Sequence, residues 1–198
     1  MPLPITLWLV NPDSAMCDAW REAFIDLPNV RVVEGMYQSL EPHDCFVTAG
    51  NSFGIMTAGI DAAVIERHGL GLMKRVQERI RNEYLGEQPI GTAFIEGTGQ
   101  PDYRYIVHAP TMRTPGVIAG TDKVYIATWA SLLAIYRHNV ETSDEICTVG
   151  FPAMGAGFGG VPYKEVARQM ATAYKHYLHP PHRMDWDMVI RREKAILP

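Results

Sequence analysis

The strongest constraint in this sequence is the regular alternation of short apolar segments with longer amphipathic segments. The apolar runs predict β-strands at residues 5–10, 30–33, 44–48, 92–95, 105–108 and 146–151. Apolar residues at helical spacing predict helices over about residues 14–27, 60–69, 72–84, 122–138 and 162–178. Alternating strands and helices are typical of a three-layer α/β domain with a mostly parallel central sheet. Residues 180–198 are predicted to be an extension that either docks as a short element near residues 187–191 or frays.

The composition fits one folded domain over residues 1–198 and excludes several classes of protein. Of the 198 residues, 47% are hydrophobic and 20% are charged, which excludes intrinsic disorder. The net charge of -4 and the lack of a basic run disfavour binding to duplex nucleic acid. No apolar run approaches the roughly 20 residues of a membrane-spanning helix, and residues 1–4 lack the positive charge of a signal peptide. Three widely spaced cysteines, Cys17, Cys45 and Cys147, indicate reduced thiols, so we expect a cytoplasmic protein with no bound metal.

One candidate binding loop spans residues 151–162, with the sequence FPAMGAGFGGVP, between an apolar strand and a helix. In an open α/β sheet, ligands bind where strands end and loops lead into helices. Glycines allow successive N–H groups to turn inward, and beside a helix N-terminus such a loop suits a phosphate. Gly155, Gly157 and Gly160 also match G-x-G-x-x-G, but the acidic residue that a dinucleotide-binding fold needs about 20 residues later is absent. The loop is therefore predicted to bind phosphate, and the alternative is a turn that serves only packing.

A second candidate loop, residues 48–61, also leaves a predicted strand and enters a predicted helix. Asn51 has an amide that hydrogen-bonds well to sugar hydroxyls, and its alternative role is that of a turn residue. Asp61 falls in the first turn of the helix, where a carboxylate also interacts favourably with the helix dipole. Taken alone, each side chain has both a structural and a functional interpretation.

Together, the two loops resemble the macrodomain family, whose members bind ADP-ribose. The sequences TAGNS at residues 48–52 and GID at residues 59–61 are similar to the family's Asn-Ala-Ala-Asn-Ser and Gly-Val-Asp motifs. Residues 151–162 match its Phe-Pro-Ala-x-x-x-Gly-x-x-Gly-x-Pro pattern without a gap, and YRYIVH at residues 103–108 is similar to its Tyr-Val-Ile-His strand. The resemblance runs from about residue 30 to residue 178 and implies a three-layer α/β/α fold with a mixed, mostly parallel sheet.

Several positions depart from the family pattern. Thr48 stands where the family has its first Asn, and the glycine stretch of the first loop is reduced to Gly54 and Gly59. Many members place an Asp that holds the adenine amino group where this chain has the sequence EGMY at residues 34–37, which leaves Glu34 as the substitute carboxylate. Related hydrolases often carry a His four residues after the Asp of the Gly-Val-Asp motif, and Ile65 occupies that position here.

The resemblance implies that the ligand is ADP-ribose or a derivative, free or attached to protein or nucleic acid. If the protein is a hydrolase, Asn51 would position the distal ribose and Asp61 would orient or deprotonate the attacking water, without a cofactor. Mono-ADP-ribosyl hydrolysis, O-acetyl-ADP-ribose deacetylation and ADP-ribose-1″-phosphate dephosphorylation are the reactions implied. The alternatives are a non-catalytic ADP-ribose reader, or the same scaffold with another nucleotide. The residues implied to contact the ligand are Gly50, Ser52, Gly59, Ile60, Gly155, Ala156, Gly157, Phe158, Gly159 and Gly160.

Three further features leave two interpretations each. Phe158 either lines the distal ribose or packs in the fold. His108 ends a predicted strand, so it is either a core residue bonded to backbone or an acid–base group. Residues 111–116 form a loop at the expected rim of the cleft, and this loop either gates the ligand or only connects two elements.

Overall fold

Residues 4–197, the part of the chain that this computed structural model describes, contain six strands and six α-helices. The strands are β1 (Thr6–Asn11), β2 (Val30–Glu34), β3 (Cys45–Thr48), β4 (Phe94–Gly97), β5 (Tyr105–His108) and β6 (Thr148–Phe151). The helices are α1 (Ser14–Ala23), α2 (Gly59–His68), α3 (Leu70–Glu83), α4 (Lys123–Glu141), α5 (Tyr163–Leu178) and α6 (Trp186–Ile196). A single 3₁₀ turn occupies Tyr37–Ser39.

The strands form one sheet in the order β2-β1-β6-β3-β5-β4. The neighbours from β2 to β5 are parallel, and only the edge strand β4 runs antiparallel to its partner β5. The predicted mixed, mostly parallel sheet is therefore confirmed. Because five strands point the same way, the loops after β2, β1, β6, β3 and β5 meet at one edge of the sheet in that order.

Side chains alternate between the two faces of the sheet, as the period of a β-strand requires. In β1, Leu7 and Leu9 pack into a core with helices α1, α4 and α5, whereas Trp8 and Val10 pack with α2, α3 and the 3₁₀ turn. Each face buries a separate apolar cluster, so the molecule has three layers, as predicted. None of the helices between residues 4 and 197 combines the length and the hydropathy needed to cross a bilayer.

Several element boundaries differ from the prediction by two to four residues: the ends of α1 and α4, the starts of α3 and β6, and both ends of β4. Local hydrogen bonds account for two of these differences. Helix α1 ends at Ala23 rather than near residue 27, because Phe24 is buried and Leu27 N–H closes a tight turn onto the Phe24 carbonyl. Strand β4 begins at Phe94 and includes Gly97, two residues later than predicted. The shift arises because Thr92 donates both its N–H and its hydroxyl to the Pro89 carbonyl, which places residues 89–92 in a turn.

The C-terminal extension forms the helix α6, which is longer than the short element predicted. Asp185 caps its first turn by accepting the Met188 N–H at 2.9 Å. Its other end is held by Arg168 of α5, which donates to the carbonyls of Ala195 and Ile196. The extension is therefore tied to α5 by charge-assisted hydrogen bonds to backbone, and the partly buried Ile196 at its end packs against the neighbouring apolar cluster.

Candidate functional site

An open cavity of about 610 Å³ lies at the sheet edge where the five parallel strands end. The segments that line it lie at or after the ends of those strands. They fall within residues 10–12 at the end of β1, 35–38 after β2, 49–63 after β3, 111–115 after β5 and 152–163 after β6. The strand order therefore sets the layout of the cavity. The β6 loop lies in the middle, with the β1 and β2 ends on one side and the β3 and β5 ends on the other.

The middle of the cavity is lined by the glycine-rich loop after β6. The N–H groups of Gly157, Phe158 and Gly159 donate to no atom of residues 4–197, whereas their neighbours on either side are hydrogen-bonded within the loop. The turn is very tight, since a Cβ on Gly159 would lie 2.3 Å from the Gly155 carbonyl oxygen. Three consecutive free N–H groups on a tight turn form a binding site for an anion such as phosphate.

The start of α2 supplies a second set of free N–H groups. The N-cap residue, Ala58, has no side-chain acceptor, and the N–H groups of Gly59, Ile60 and Asp61 have no partner in the described part of the chain. All of these residues line the cavity. A helix N-terminus without a cap leaves its first-turn donors and the positive end of its dipole available to an anion. The two loops together therefore suit a ligand with two adjacent phosphates.

Asp61 is the acidic residue of the cavity. Its side chain is only 5% exposed, and its Oδ1 has no hydrogen-bond partner in residues 4–197. Burial without a cationic partner raises the pKa of Asp61 to about 7. A carboxyl whose pKa lies near neutrality is suited to accept or donate a proton under physiological conditions.

Asn51 lies near the start of the loop after β3, and its side chain holds the backbone of that loop by hydrogen bonds. Its Oδ1 accepts the N–H groups of Phe53 and Ile55 at 3.1 and 3.3 Å, and its Nδ2 donates to the Ile55 carbonyl at 2.9 Å. Asn51 lines the cavity, so the remaining N–H of its amide is available to a ligand. The turn role and the ligand role, which were separate alternatives in the sequence, are therefore compatible in the structure.

His108 lies beneath the β3 loop and is not among the cavity residues. It is fully buried, and its Nδ1 hydrogen-bonds to Gln88 Oε1 at 2.6 Å rather than to a backbone group. Burial lowers its pKa to about 4, so the ring is neutral at pH 7. A Cβ on Gly50 would lie 2.6 Å from its Nε2, so only glycine fits above the ring. The acid–base interpretation of His108 is wrong, and it is a core residue.

The rim beside the Asn51 loop carries an arginine whose role the sequence did not indicate. Arg113 lines the cavity and forms a two-pronged ion pair with Glu87, through Nε to Oε1 at 2.5 Å and Nη2 to Oε2 at 2.9 Å. Its guanidinium also lies over the Phe53 ring, 5.5 Å from the ring centroid. The only signal in the sequence was the position of this loop after β5, whose C-terminal end is adjacent to that of β3.

The opposite end of the cavity, after β1 and β2, has mostly apolar walls. Val10, Pro12 and the half-exposed Met36 line it, together with the amides of Asn11 and Gln38. Glu34, the substitute carboxylate for adenine, is not among the cavity residues and instead pairs with Arg21. This end therefore lacks an acidic side chain within the described residues.

The cavity gathers ten of the twelve residues implied to be catalytic or ligand-binding. Ser52 is buried outside it, where its N–H donates to the carbonyls of Met112 and Arg113. Gly160 also lies outside the lining, with its N–H bonded to the Gly157 carbonyl. Ser52 therefore supports its loop from the buried side, whereas the exposed Gly160 closes the turn of the glycine-rich loop. The residues that do line the cavity are Gly50, Asn51, Gly59, Ile60, Asp61, Gly155, Ala156, Gly157, Phe158 and Gly159.

This fold and cavity define a protein of macrodomain architecture, and comparison with known proteins agrees. A family model described as Macro domain matches residues 47–170, which is more than half of the chain, so the chain belongs to the Macro domain family. It is 33% identical over 153 residues to an uncharacterized protein of Aquifex aeolicus, covering 75% of this chain and 82% of that one. It is 27% identical to a macro domain-containing protein of Caldanaerobacter subterraneus, covering 68% and 73% of the two chains.

Two solved structures share the fold at lower identity. A mutant macrodomain of Oceanobacillus iheyensis with ADPR superimposes with a TM-score of 0.59 at 23% identity, covering 70% of this chain and 72% of that one. The macrodomain of Mycobacterium tuberculosis DarG also gives a TM-score of 0.59, at 22% identity, covering 72% and 87% of the two chains. These likenesses establish the three-layer fold.

Proposed function

We propose that this chain binds ADP-ribose in the cavity and hydrolyses a bond at the distal ribose of an ADP-ribose derivative. Family membership and the ADPR in a structural neighbour support the choice of ligand. The free N–H groups of the glycine-rich loop and of the α2 start support it independently, because a diphosphate would accept hydrogen bonds from both.

The observation that carries the catalytic part of the proposal is Asp61. In its ionised form the carboxylate accepts a proton from a water molecule, and the water oxygen attacks the electrophilic atom of the distal linkage. The leaving group departs with the electrons of the broken bond. A pKa near 7 keeps a large fraction of the carboxyl ionised at neutral pH while leaving it basic enough to take the proton. Asn51 positions the ribose with the one amide N–H that its loop does not use.

The test has two parts, binding and turnover. Calorimetry with ADP-ribose is expected to give a Kd in the micromolar range. Each of three substrates, a mono-ADP-ribosylated protein, O-acetyl-ADP-ribose and ADP-ribose-1″-phosphate, is then incubated with wild-type protein and with the Asp61→Asn variant. We expect release of ADP-ribose from at least one substrate by the wild type only. Micromolar binding without any turnover would make the protein a reader, and absence of binding would refute the whole proposal.

A second candidate ligand is another nucleotide in the same cavity. The observation in its favour is the end of the cavity after β1 and β2, where no acidic side chain is present among the described residues to select an adenine amino group. The free groups there are amides, Nδ2 of Asn11 and Oε1 of Gln38, which suit either a 6-amino or a 6-oxo purine edge. A thermal-shift series compares the stabilisation of the protein by ADP-ribose, ADP, IDP and GDP. Stabilisation by IDP or GDP while ADP-ribose has no effect would favour this candidate.

The location and the wider partners of the protein stay predictions. A cytoplasmic location rests on the three cysteines, which are all free in the structure. The same turnover assay tests protein-linked ADP-ribose as the substrate. Nucleic-acid-linked ADP-ribose is tested by adding an ADP-ribosylated oligonucleotide to the assay.

A further inference from the structure

The cavity is lined by few ionisable side chains. Among the lining residues in the described part of the chain, only Asp61 has an acidic side chain and only Arg113 has a strongly basic one. The diphosphate of the proposed ligand has free backbone N–H groups at the middle of the cavity. Arg113 lies elsewhere, at the end of β5, on the side of the cavity that contains the Asn51 loop. If the distal ribose lies beside Asn51, as proposed above, a cation in this loop is on the side of the cavity that also holds the group attached to that ribose.

The backbone of Arg113 is fixed directly against the Asn51 loop. Met112 forms a parallel bridge with Asn51, and the Ser52 N–H donates to the carbonyls of both Met112 and Arg113, each at 3.2 Å. The guanidinium therefore projects from a point that cannot move independently of the loop proposed to hold the ribose.

The guanidinium is also held in orientation. Glu87 takes the Nε and Nη2 donors on one edge, and the Phe53 ring lies against its face. Glu87 is itself anchored, because the N–H of the next residue, Gln88, donates to the Ser52 carbonyl at 2.8 Å. The two N–H groups of Nη1 have no acceptor in the described part of the chain, so they remain available on an oriented group.

We propose that Arg113 is a specificity-determining residue that favours a substrate with a negatively charged phosphoryl group on the distal ribose. This inference rests on the proposed function and selects among its three substrates. Of the three distal groups, an acetyl ester and an amino-acid linkage carry no negative charge at the ribose, whereas a phosphoryl group does. Its oxygens accept both Nη1 N–H groups, and the cation offsets repulsion from an ionised Asp61.

A purely structural role for the Arg113–Glu87 pair makes a different prediction. If the pair only fastens the rim loop, loss of either partner has the same effect on every ligand. If Arg113 recognises an anion, loss of Glu87 removes a competing carboxylate. The Arg113→Gln and Glu87→Gln variants then change the preference for a phosphorylated ligand in opposite directions.

The experiment measures the ratio of the Kd for ADP-ribose to the Kd for ADP-ribose-1″-phosphate. All proteins carry Asp61→Asn so that no turnover consumes the ligand. Relative to this background, we expect Arg113→Gln to lower the ratio about three- to fivefold and Glu87→Gln to raise it about twofold, the range typical of exposed charged contacts. Arg113→Lys is expected to retain part of the ratio because it keeps the charge but loses the planar fork.

Salt provides an independent readout. Raising the ionic strength from about 50 to about 500 mM should lower the ratio for protein with Arg113 and leave it nearly unchanged for Arg113→Gln, because screening acts on the exposed charge. Parallel shifts in both glutamine variants, or a ratio that neither changes, overturn the inference while micromolar ADP-ribose binding leaves the proposed function standing. Absence of ADP-ribose binding to the wild type overturns both.

Discussion

The buried carboxyl of Asp61 makes the stability of this protein depend on pH in a direction opposite to that of most acidic residues. Burial raises its folded-state pKa from 3.8 to about 7. Between these values the unfolded chain loses the proton and the folded protein keeps it, so the free energy of unfolding falls as the pH rises. The stabilising contribution is complete below about pH 4 and is lost by about pH 7 to 8.

The size of the effect follows from the shift. A difference of about three pKa units corresponds to about 4 kcal/mol in total, at about 1.4 kcal/mol for each unit, and this value is an upper bound. The Asp61→Asn variant lacks the titrating group. Its unfolding free energy relative to wild type should therefore rise steadily between pH 4 and pH 8 and favour the variant by up to about 4 kcal/mol more at the upper end.

The measurement is urea unfolding of both proteins at one-unit pH intervals from 4 to 8. The slope of the difference against pH is the readout, because an amide at this buried position adds a constant cost of its own. Asp26→Asn is the matched control. Asp26 is exposed and follows α1, which packs on the face of the sheet opposite to that of α2, so this substitution should change stability by less than about 0.5 kcal/mol at every pH. A flat difference across this range would refute the assignment of Asp61 as a buried, unpaired carboxyl.

The same titration is expected to govern turnover. If the ionised carboxylate accepts the proton of the attacking water, kcat/KM, which reports ionisations of the free enzyme, rises with pH and reaches half its maximum near pH 7. Activity would then increase over the interval in which stability decreases, because both follow the same proton. A pH profile of kcat/KM without an ionisation near pH 7 would contradict the assignment of Asp61 as the base.

Three further predictions concern the loops. Gly159→Ala places a methyl group 2.3 Å from a carbonyl oxygen and should lower the free energy of unfolding by about 1–3 kcal/mol, measured by thermal unfolding. Gly157→Ala places its methyl group in open space and should lower it by less than about 0.5 kcal/mol. Equal effects of the two substitutions would contradict this geometry. Gly50→Ala meets His108 Nε2 at 2.6 Å and should lower the melting temperature by several degrees, and an unchanged value would be inconsistent with the close approach. Asn51→Ala removes three loop hydrogen bonds and should lower the free energy of unfolding by about 1–2 kcal/mol. If calorimetry shows a loss of ADP-ribose affinity while the stability is unchanged, the amide serves only the ligand and the expectation is wrong.

The strands and helices were predictable where the pattern is local. The alternation of Leu7, Trp8, Leu9 and Val10 between two apolar clusters follows from the period of a strand, and no tertiary knowledge is needed to predict it. Two of the boundaries that were wrong, at the end of α1 and the start of β4, depend on turns that compete with the regular element. In each case a carbonyl, of Phe24 or Pro89, accepts a hydrogen bond that a longer helix or strand would have placed elsewhere.

For the candidate site, local sequence patterns predicted the two loops but not every contact that their residues make. The free N–H groups at Gly157 and Ile60 lie where glycine content and the helix start place them. The hydrogen bonds from Asn51 to its own loop were one of two alternatives in the sequence, and the structure shows them while placing the residue at the cavity, so its ligand role stays a prediction. Arg113 was missed, because its neighbours Glu87 and Phe53 are distant along the chain and no local pattern links the three.

By itself, the sequence determined the three-layer class of this protein and the position of its two candidate ligand loops, because strand period, helix period and glycine content act over a few residues. Only the tertiary structure decided which loops face one another, since the order β2-β1-β6-β3-β5-β4 arises from strand pairing between distant segments. It also decided the protonation of Asp61, because removal from water depends on every element that packs around the carboxyl.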